Sequence, residues 1–322
     1  MSRSSIFFAT LMFLGFALAA RAQPEVFTRG DFHLQGPVKD CIVLTDYGEE
    51  RFEFDREGKL LKSLTRYNAS DYDITYYRYR DTVLTERRDE VYRDGTFDKR
   101  TSFAHFYQRD TLRERGDLTE KITSYDQKIT EQITYKYDSI GRINKIIRVQ
   151  AEGIDETEVV YKSYEDETTS EYYLNGQLLK SVRISERENA GSRQKITLRK
   201  EYFQGTPQKA VEEIRSGPNR IMARTNFIYD PDNKSFLKEE LWEYTYDEGG
   251  LQTGETTTYY SHKSGKPKVY RVAKKEFIYQ TDGKNPGNWI KKIITPQNTY
   301  TTRKITYYTP LSEVTQDSLP KN

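Results

Sequence analysis

The chain of 322 residues has one cysteine, three histidines, three methionines and two tryptophans. A single Cys excludes an internal disulfide framework, and three scattered His exclude a His-rich metal centre. Hydrophobic residues of all kinds make up only 35% of the chain, against 31% charged. That is too little for a thick multilayer core. The 13% aromatic content, with 26 Tyr, is in turn too high for ordinary disorder. Excess charge is nearly absent as well, with 51 Lys+Arg against 49 Asp+Glu.

Long hydrophobic runs are also missing, except at the start. Met-Ser-Arg-Ser-Ser leads into an apolar stretch from Ile6 to Ala20, closed by Ala20-Arg21-Ala22. A basic start, a short apolar run and an A-x-A-like end predict a signal peptide over residues 1–22. The run falls short of the roughly 20 apolar residues of a spanning helix. No Cys follows it directly, which argues against lipoprotein processing. The expectation is an exported protein with no membrane span after cleavage, placed in the periplasm, outer-membrane associated or extracellular. Cleavage removes Arg3 and Arg21 and no acid, so 49 basic and 49 acidic residues remain and the net charge is zero. Nucleic acid, which calls for a clustered basic face, is not an expected partner. Cys41, followed by Ile42-Val43-Leu44, is expected to be buried on a strand.

The body of the chain reads as strands. Ile129, Glu131, Ile133, Tyr135 and Tyr137 alternate with Thr, Gln and Lys, and Arg303-Lys304-Ile305-Thr306-Tyr307 does the same. Leu237 to Tyr246 places Trp242, Tyr244 and Tyr246 on one face. Asp94-Gly95, Asn175-Gly176 and Asp282-Gly283 are hairpin signals, because primed turns need positive φ. Glu57-Gly58 and Ile140-Gly141 mark similar tight turns.

Units of the form aromatic-x-aromatic-Asp followed by a Gly turn recur. Phe52-Glu53-Phe54-Asp55 with Gly58 and Tyr135-Lys136-Tyr137-Asp138 with Gly141 are the clearest. Weaker copies surround Tyr173, Tyr229, Tyr246 and Tyr279. From Tyr137 onward the second aromatics are 36, 56, 17 and 33 residues apart, near multiples of a hairpin unit of about 18 residues. The earlier interval of 83, from Phe54 to Tyr137, does not divide cleanly. These motifs resemble the YD repeat, the Rhs-type tyrosine–aspartate repeat, over residues 50–310. Tyr173-Leu174-Asn175-Gly176-Gln177-Leu178 is similar to MORN-like repeats. The resemblance implies an all-β fold of stacked antiparallel β-hairpins forming one long twisted or curved repeat sheet. In the large Rhs proteins such a sheet wraps around a toxin or ligand. This chain is much shorter and carries no toxin domain or Rhs core signature. The expected organisation is a signal peptide (1–22), an N-terminal lead-in (23–45), a hairpin-repeat domain (46–309) and a C-terminal tail (310–322).

Catalytic signatures are absent. His33, His105 and His262 show no H-x-x-H spacing, and no G-x-S-x-G, P-loop or G-x-G-x-x-G motif occurs. Asp230-Pro231-Asp232-Asn233 and Asp71-Tyr72-Asp73 lack the closing Glu of a calcium loop and read as turn caps. No catalytic residue, metal or cofactor is expected. An enzyme would need a pocket joining one of the three His to carboxylates. The candidate ligand-binding groups are aromatic: Trp242, Tyr244, Tyr260 and Trp289. The favoured reading is a non-enzymatic exported scaffold or interaction module with a protein or glycan partner of the cell envelope. The alternative is a glycan- or envelope-binding protein that uses exposed Tyr and Trp.

Overall fold

The computed structural model describes residues 25–309, except 111–115, 190, 218–219, 263–266 and 285–286. All the strands pair antiparallel in one sheet. Ten strands rise from the end that holds the N-terminus. They are β1 (Val38–Thr45), β3 (Leu60–Arg66), β5 (Val83–Arg93), β8 (Leu118–Ser124), β10 (Ile143–Gln150), β12 (Glu167–Leu174), β14 (Ser192–Phe203), β16 (Arg220–Asp230), β18 (Gln252–Ser261) and β20 (Trp289–Thr295). Ten return between them. They are β2 (Gly48–Phe54), β4 (Tyr72–Arg80), β7 (Phe103–Arg109), β9 (Thr130–Tyr137), β11 (Gly153–Tyr164), β13 (Gln177–Asn189), β15 (Thr206–Ser216), β17 (Ser235–Tyr246), β19 (Lys268–Thr281) and β21 (Thr299–Tyr307). The two-residue β6 (Thr96–Phe97) pairs only with the top of β5 among the described residues.

The sheet is not open. β1 pairs with β2 on one side and with β21 on the other, Cys41 opposite Ile305 and Val43 opposite Arg303. The two edges satisfy each other, and the described strands close into a twenty-strand antiparallel barrel. Closure pairs the two edges, β1 and β21, that an open repeat sheet of this length would have to protect. The likeness to YD-type and MORN-like repeat proteins, with the open sheet it implied, is therefore overturned. The segment read as a lead-in contains β1, the closing strand.

The repeating units are the hairpins of the barrel. Asp55, Asp138 and Asp247 each follow an aromatic residue, and each carboxylate accepts the amide of the residue four further on, at 2.8 Å in all three. A short polar side chain that bonds its own turn backbone is why Asp recurs there. Tyrosine recurs for a related reason. At the feet of returning strands, Tyr79, Tyr161, Tyr246 and Tyr279 donate their hydroxyls to the carbonyls of Leu60, Ile143, Ile221 and Gln252 on the preceding rising strand. Lys59 and Arg142, at adjacent turns, lie over the rings of Tyr79 and Tyr161 at 5.5 and 4.1 Å. Each ring thus packs on the ladder while its polar tip fixes a neighbouring backbone group. The Asn175-Gly176 turn has φ of 47° and 82°, as a primed hairpin turn requires.

Burial alternates through the middle of β11, where Ile154, Glu156, Glu158, Val160 and Lys162 are exposed and the residues between them are not. Ladder partners share a face, so the pattern carries around the ring. One outer rung runs Val160, Glu171, Ser181, Lys200, Ala210, Phe227, Lys238. Another runs Asp40, Glu53, Lys62, Tyr76, Arg88, Ala104, Thr123.

The main apolar core lies inside the closing seam. Leu34, Val38, Cys41, Val43, Phe54 and Leu60 are buried together, with Phe27, Phe32 and Ile305 packed against them. The segment before β1, including the short 3-10 turn Arg29–Phe32, covers the inner wall at this point. Arg29 N–H donates to Gly58 O and Leu60 N–H to Phe27 O. At its far end Gln35 and the fully buried Asn288 exchange two hydrogen bonds of 2.8 Å. A second buried cluster, Val159, Tyr172 and Val182, lines the inner wall elsewhere. Cys41 is buried on a strand as its neighbours predicted, and burial pushes its thiol pKa up to about 11.

Candidate functional site

The inner wall carries two charged sites. The first is built by β4, β5, β7 and β8. Strand register places Tyr77 opposite Arg87 and Arg87 opposite His105 on one inner rung. Thr75 and Asp89 share the next. His105 Nδ1 lies 2.8 Å from Glu120 Oε1, and its Nε2 lies 3.2 Å from Asp89 Oδ2. Arg87 Nε donates to Asp89 at 3.0 Å, Thr75 donates to Asp89 at 2.9 Å, and Tyr135 donates to Glu120 at 3.3 Å. Burial opposes the charge on His105, but its hydrogen bonds to Asp89 and Glu120 outweigh burial and raise its pKa. The same contacts hold Asp89 and Glu120 below the usual carboxylate range despite burial. The histidine and the carboxylates that a catalytic reading would need are therefore together. Both ring nitrogens are already engaged, however, and a general base needs one free to take a proton. The two carboxylates sit at opposite nitrogens and do not converge on a point. Among the described residues no group of three or more His, Cys, Asp or Glu is placed to hold a metal ion.

The second site is built by β18 to β21 next to the seam. Trp289 opens β20 and is buried, 8% exposed. The Arg303 guanidinium carbon lies over its indole, 3.6 Å from the ring centroid, and Lys292 Nζ stands 5.6 Å from the same ring and 5.6 Å from that of Phe277. Tyr279, 5.9 Å from Trp289, completes the aromatic wall. Arg303 Nη2 donates to Phe32 O at 3.0 Å. Its Nε and Nη1 are buried and make no hydrogen bond. Lys275 is paired with Glu255 at 2.8 Å. Burial and then the Arg303 charge lower the pKa of Lys292, and burial lowers that of Arg303 itself. The acid nearest Arg303 in the ladder is Glu50, on the far side of Val43, and burial raises its pKa. The site is an excess of desolvated positive charge on an aromatic floor.

The four candidate aromatics do not gather. Trp242 and Tyr244 share the inner face of β17, where Arg224 stands 5.8 Å over Trp242 and burial pushes Tyr244 up to about 12. Trp289 is also on the inner face, three strands further round. Tyr260 lies on the outer face, 5.6 Å under Lys238, because a bulge at Glu239 turns Lys238 away from Trp242. Arg303 and Lys292 were not among the expected residues. The signal for Arg303 was a cation in the same alternating register as Ile305 and Tyr307. The acidic turns behave as caps: Asp230 accepts the amides of Asp232 and Asn233. On the outer wall, Arg88, Phe106, Lys121, Thr123, Tyr125 and Gln127 line a shallow groove of about 500 Å³.

These features define a class: a closed antiparallel β-barrel, polar on both faces, with charged sites on its inner wall. No known protein family matches the chain, and a search of curated proteins finds no match. Among solved structures, a porin-like protein from Bacteroides uniformis is similar at 10% identity and a TM-score of 0.35, over 84% of this chain and 96% of that one. A porin-like protein from Bacteroides vulgatus is similar at 11% identity and a TM-score of 0.22, over 85% and 99%. TcdB2-TccC3-TEV is similar at 13% identity and a TM-score of 0.21, over 80% of this chain and 16% of its own. Likenesses this distant carry no function to this chain. No helix among the described residues is long and apolar enough to cross a membrane, which says nothing of strands.

Proposed function

We propose that the protein is an exported, non-enzymatic β-barrel of the cell envelope, wet on both faces, which acts as a scaffold or binding module. The observation that carries this reading is the outer wall. A lipid-facing barrel needs an apolar outer band about 25 Å tall, and an Arg or Lys at the bilayer midplane costs about 2–4 kcal/mol. Here Lys62, Arg88, Lys200 and Lys238 sit on outer rungs. Lys162 and Glu171 pair across β11 and β12 at 2.8 Å, and Lys145 and Glu156 across β10 and β11 at 2.6 Å. Such rungs suit water. Expression of the full chain with its leader in a bacterial host, followed by fractionation, tests the reading. The barrel should appear in the detergent-free soluble fraction outside the cytoplasm. Retention in membranes through a carbonate wash would overturn it in favour of a lipid-embedded barrel.

A glycan-binding reading has one observation in its favour. Beside the outer groove, Tyr72 and Tyr92 stack at 4.5 Å and 14°, and Phe97 and Tyr125 continue the aromatic row. Ring faces beside Arg88, Gln127 and Thr123 are the chemistry that takes a sugar.

A further inference from the structure

We infer that the seam site of the inner wall is a receptor for a small oxyanion, the phosphate or carboxylate group of a solute, held between Arg303 and Lys292. This deepens the reading of a water-wet binding barrel and rests on it. Three observations converge. First, the two cations sit on one indole ring, so like charges are held close in a desolvated place. Such an arrangement costs free energy unless a counter-charge joins it. Second, the acids around the site supply that charge only in part: Glu255 and Glu50 act on Lys292 and Arg303 through space, but neither hydrogen-bonds either cation. Glu255 is committed to Lys275, and Glu50 lies across Val43 without a hydrogen bond to the free nitrogens of Arg303. His33 and Asp31 stand on the covering segment, and Cys41 is a buried thiol with its pKa raised. Third, Arg303 is oriented in advance. The Trp289 ring lies against its carbon and Phe32 O fixes Nη2, while the hydrogens of Nε and Nη1 remain to be used. A guanidinium with free N–H groups beside an ammonium is a standard recognition pair for phosphate and carboxylate.

Indole stacking takes the Trp289 face out of play for a sugar or aromatic ring, so the recognition is of charge. Phosphate and carboxylate share this chemistry, and the experiment separates them. The purified full-length chain is titrated calorimetrically with inorganic phosphate and, separately, with glucuronate; glucose is the neutral control. One anion should bind, glucose should not, and Lys292→Met and Arg303→Gln should each weaken binding by at least roughly tenfold. Lys274→Gln, on the outer wall, should leave it unchanged. If Arg303→Gln does not fold, Lys292→Met decides, since its Nζ takes part in no hydrogen bond that the fold needs. Absence of binding of both anions up to about 10 mM, or equal affinity in wild type and Lys292→Met, would overturn the inference. A barrel found in membranes would instead remove the wet-barrel reading, and the fractionation reports that separately from the titration.

Discussion

The two charged sites of the inner wall are both largely buried and differ in how their charges are matched. Around His105 every charged group meets an opposite one: Arg87 with Asp89, and His105 with Asp89 and Glu120. Around Trp289 two cations share a ring and part of the guanidinium is unused. Burial alone therefore does not mark a binding site. A matched network rigidifies the wall, and an unmatched one leaves binding free energy available to a ligand. The comparison also explains why the histidine cluster, which looks catalytic as a set of residue types, is better read as a cross-strand tie among β5, β7 and β8.

The strongest way to break this contrast is to remove a partner from the matched site. Glu120→Ala leaves His105 without its partner at Nδ1, in a place where the lost carboxylate side chain was only 12% exposed. The expected loss of stability is about 3 kcal/mol, read by chemical denaturation. A loss below about 1 kcal/mol would make the network ornamental, because exposed pairs give that much or less.

A smaller effect sharpens the contrast through pH. The folded pKa of His105 is raised above its ordinary 6.5. Its contribution is fully present below the unfolded pKa and is lost as pH rises through the folded value. His33 at the other site has the opposite sign. Burial and then Arg303 lower its pKa, so its contribution is present above 6.5 and lost as pH falls through the folded value. Melting temperatures of wild type and His105→Gln should therefore diverge most near pH 5.5, about one unit below the ordinary histidine pKa, and converge toward pH 9, about two to three units above it. His33→Gln should show a weaker trend in the reverse direction, since that ring keeps solvent contact and is screened. Parallel curves for the two variants would end the distinction between the sites.

How much of this was legible beforehand depends on sequence separation. The alternation from Ile129 to Tyr137 became β9, with Ile133 buried. Asn175-Gly176 and Asp94-Gly95 became hairpin turns with positive φ. These are local signals, set by a pleat of period two and by turn sterics. Closure was not legible, because Cys41 pairs with Ile305 and no local pattern records that bond. The hairpin turns were legible one by one, but the YD-type likeness built on their spacing implied an open repeat sheet, which the pairing of β1 with β21 overturns. The sites followed the same rule. Trp289 stood out by residue type, but the charge around it comes from β19, β20 and β21 through register. Asp89 and Glu120 reach His105 from two different strands, which no spacing motif could encode.

The smallest effect is the most discriminating, because its sign is at stake. Lys292→Met removes an ammonium whose pKa is lowered by burial and by Arg303, and replaces it with an apolar chain of similar length. In a matched network this substitution would cost stability, as is expected of Glu120→Ala. In an unmatched one it relieves like-charge repulsion and desolvation, so the ligand-free protein should be unchanged or more stable by up to about 1 kcal/mol. The Lys292 contacts with the Trp289 and Phe277 rings act against this gain, each worth about 0.5–1 kcal/mol where solvent reaches them. Methionine keeps most of that packing through its thioether. A destabilisation above about 1 kcal/mol, measured by denaturation without added anion, would show that Lys292 has found its counter-charge within the fold, and the two sites would then differ only in composition.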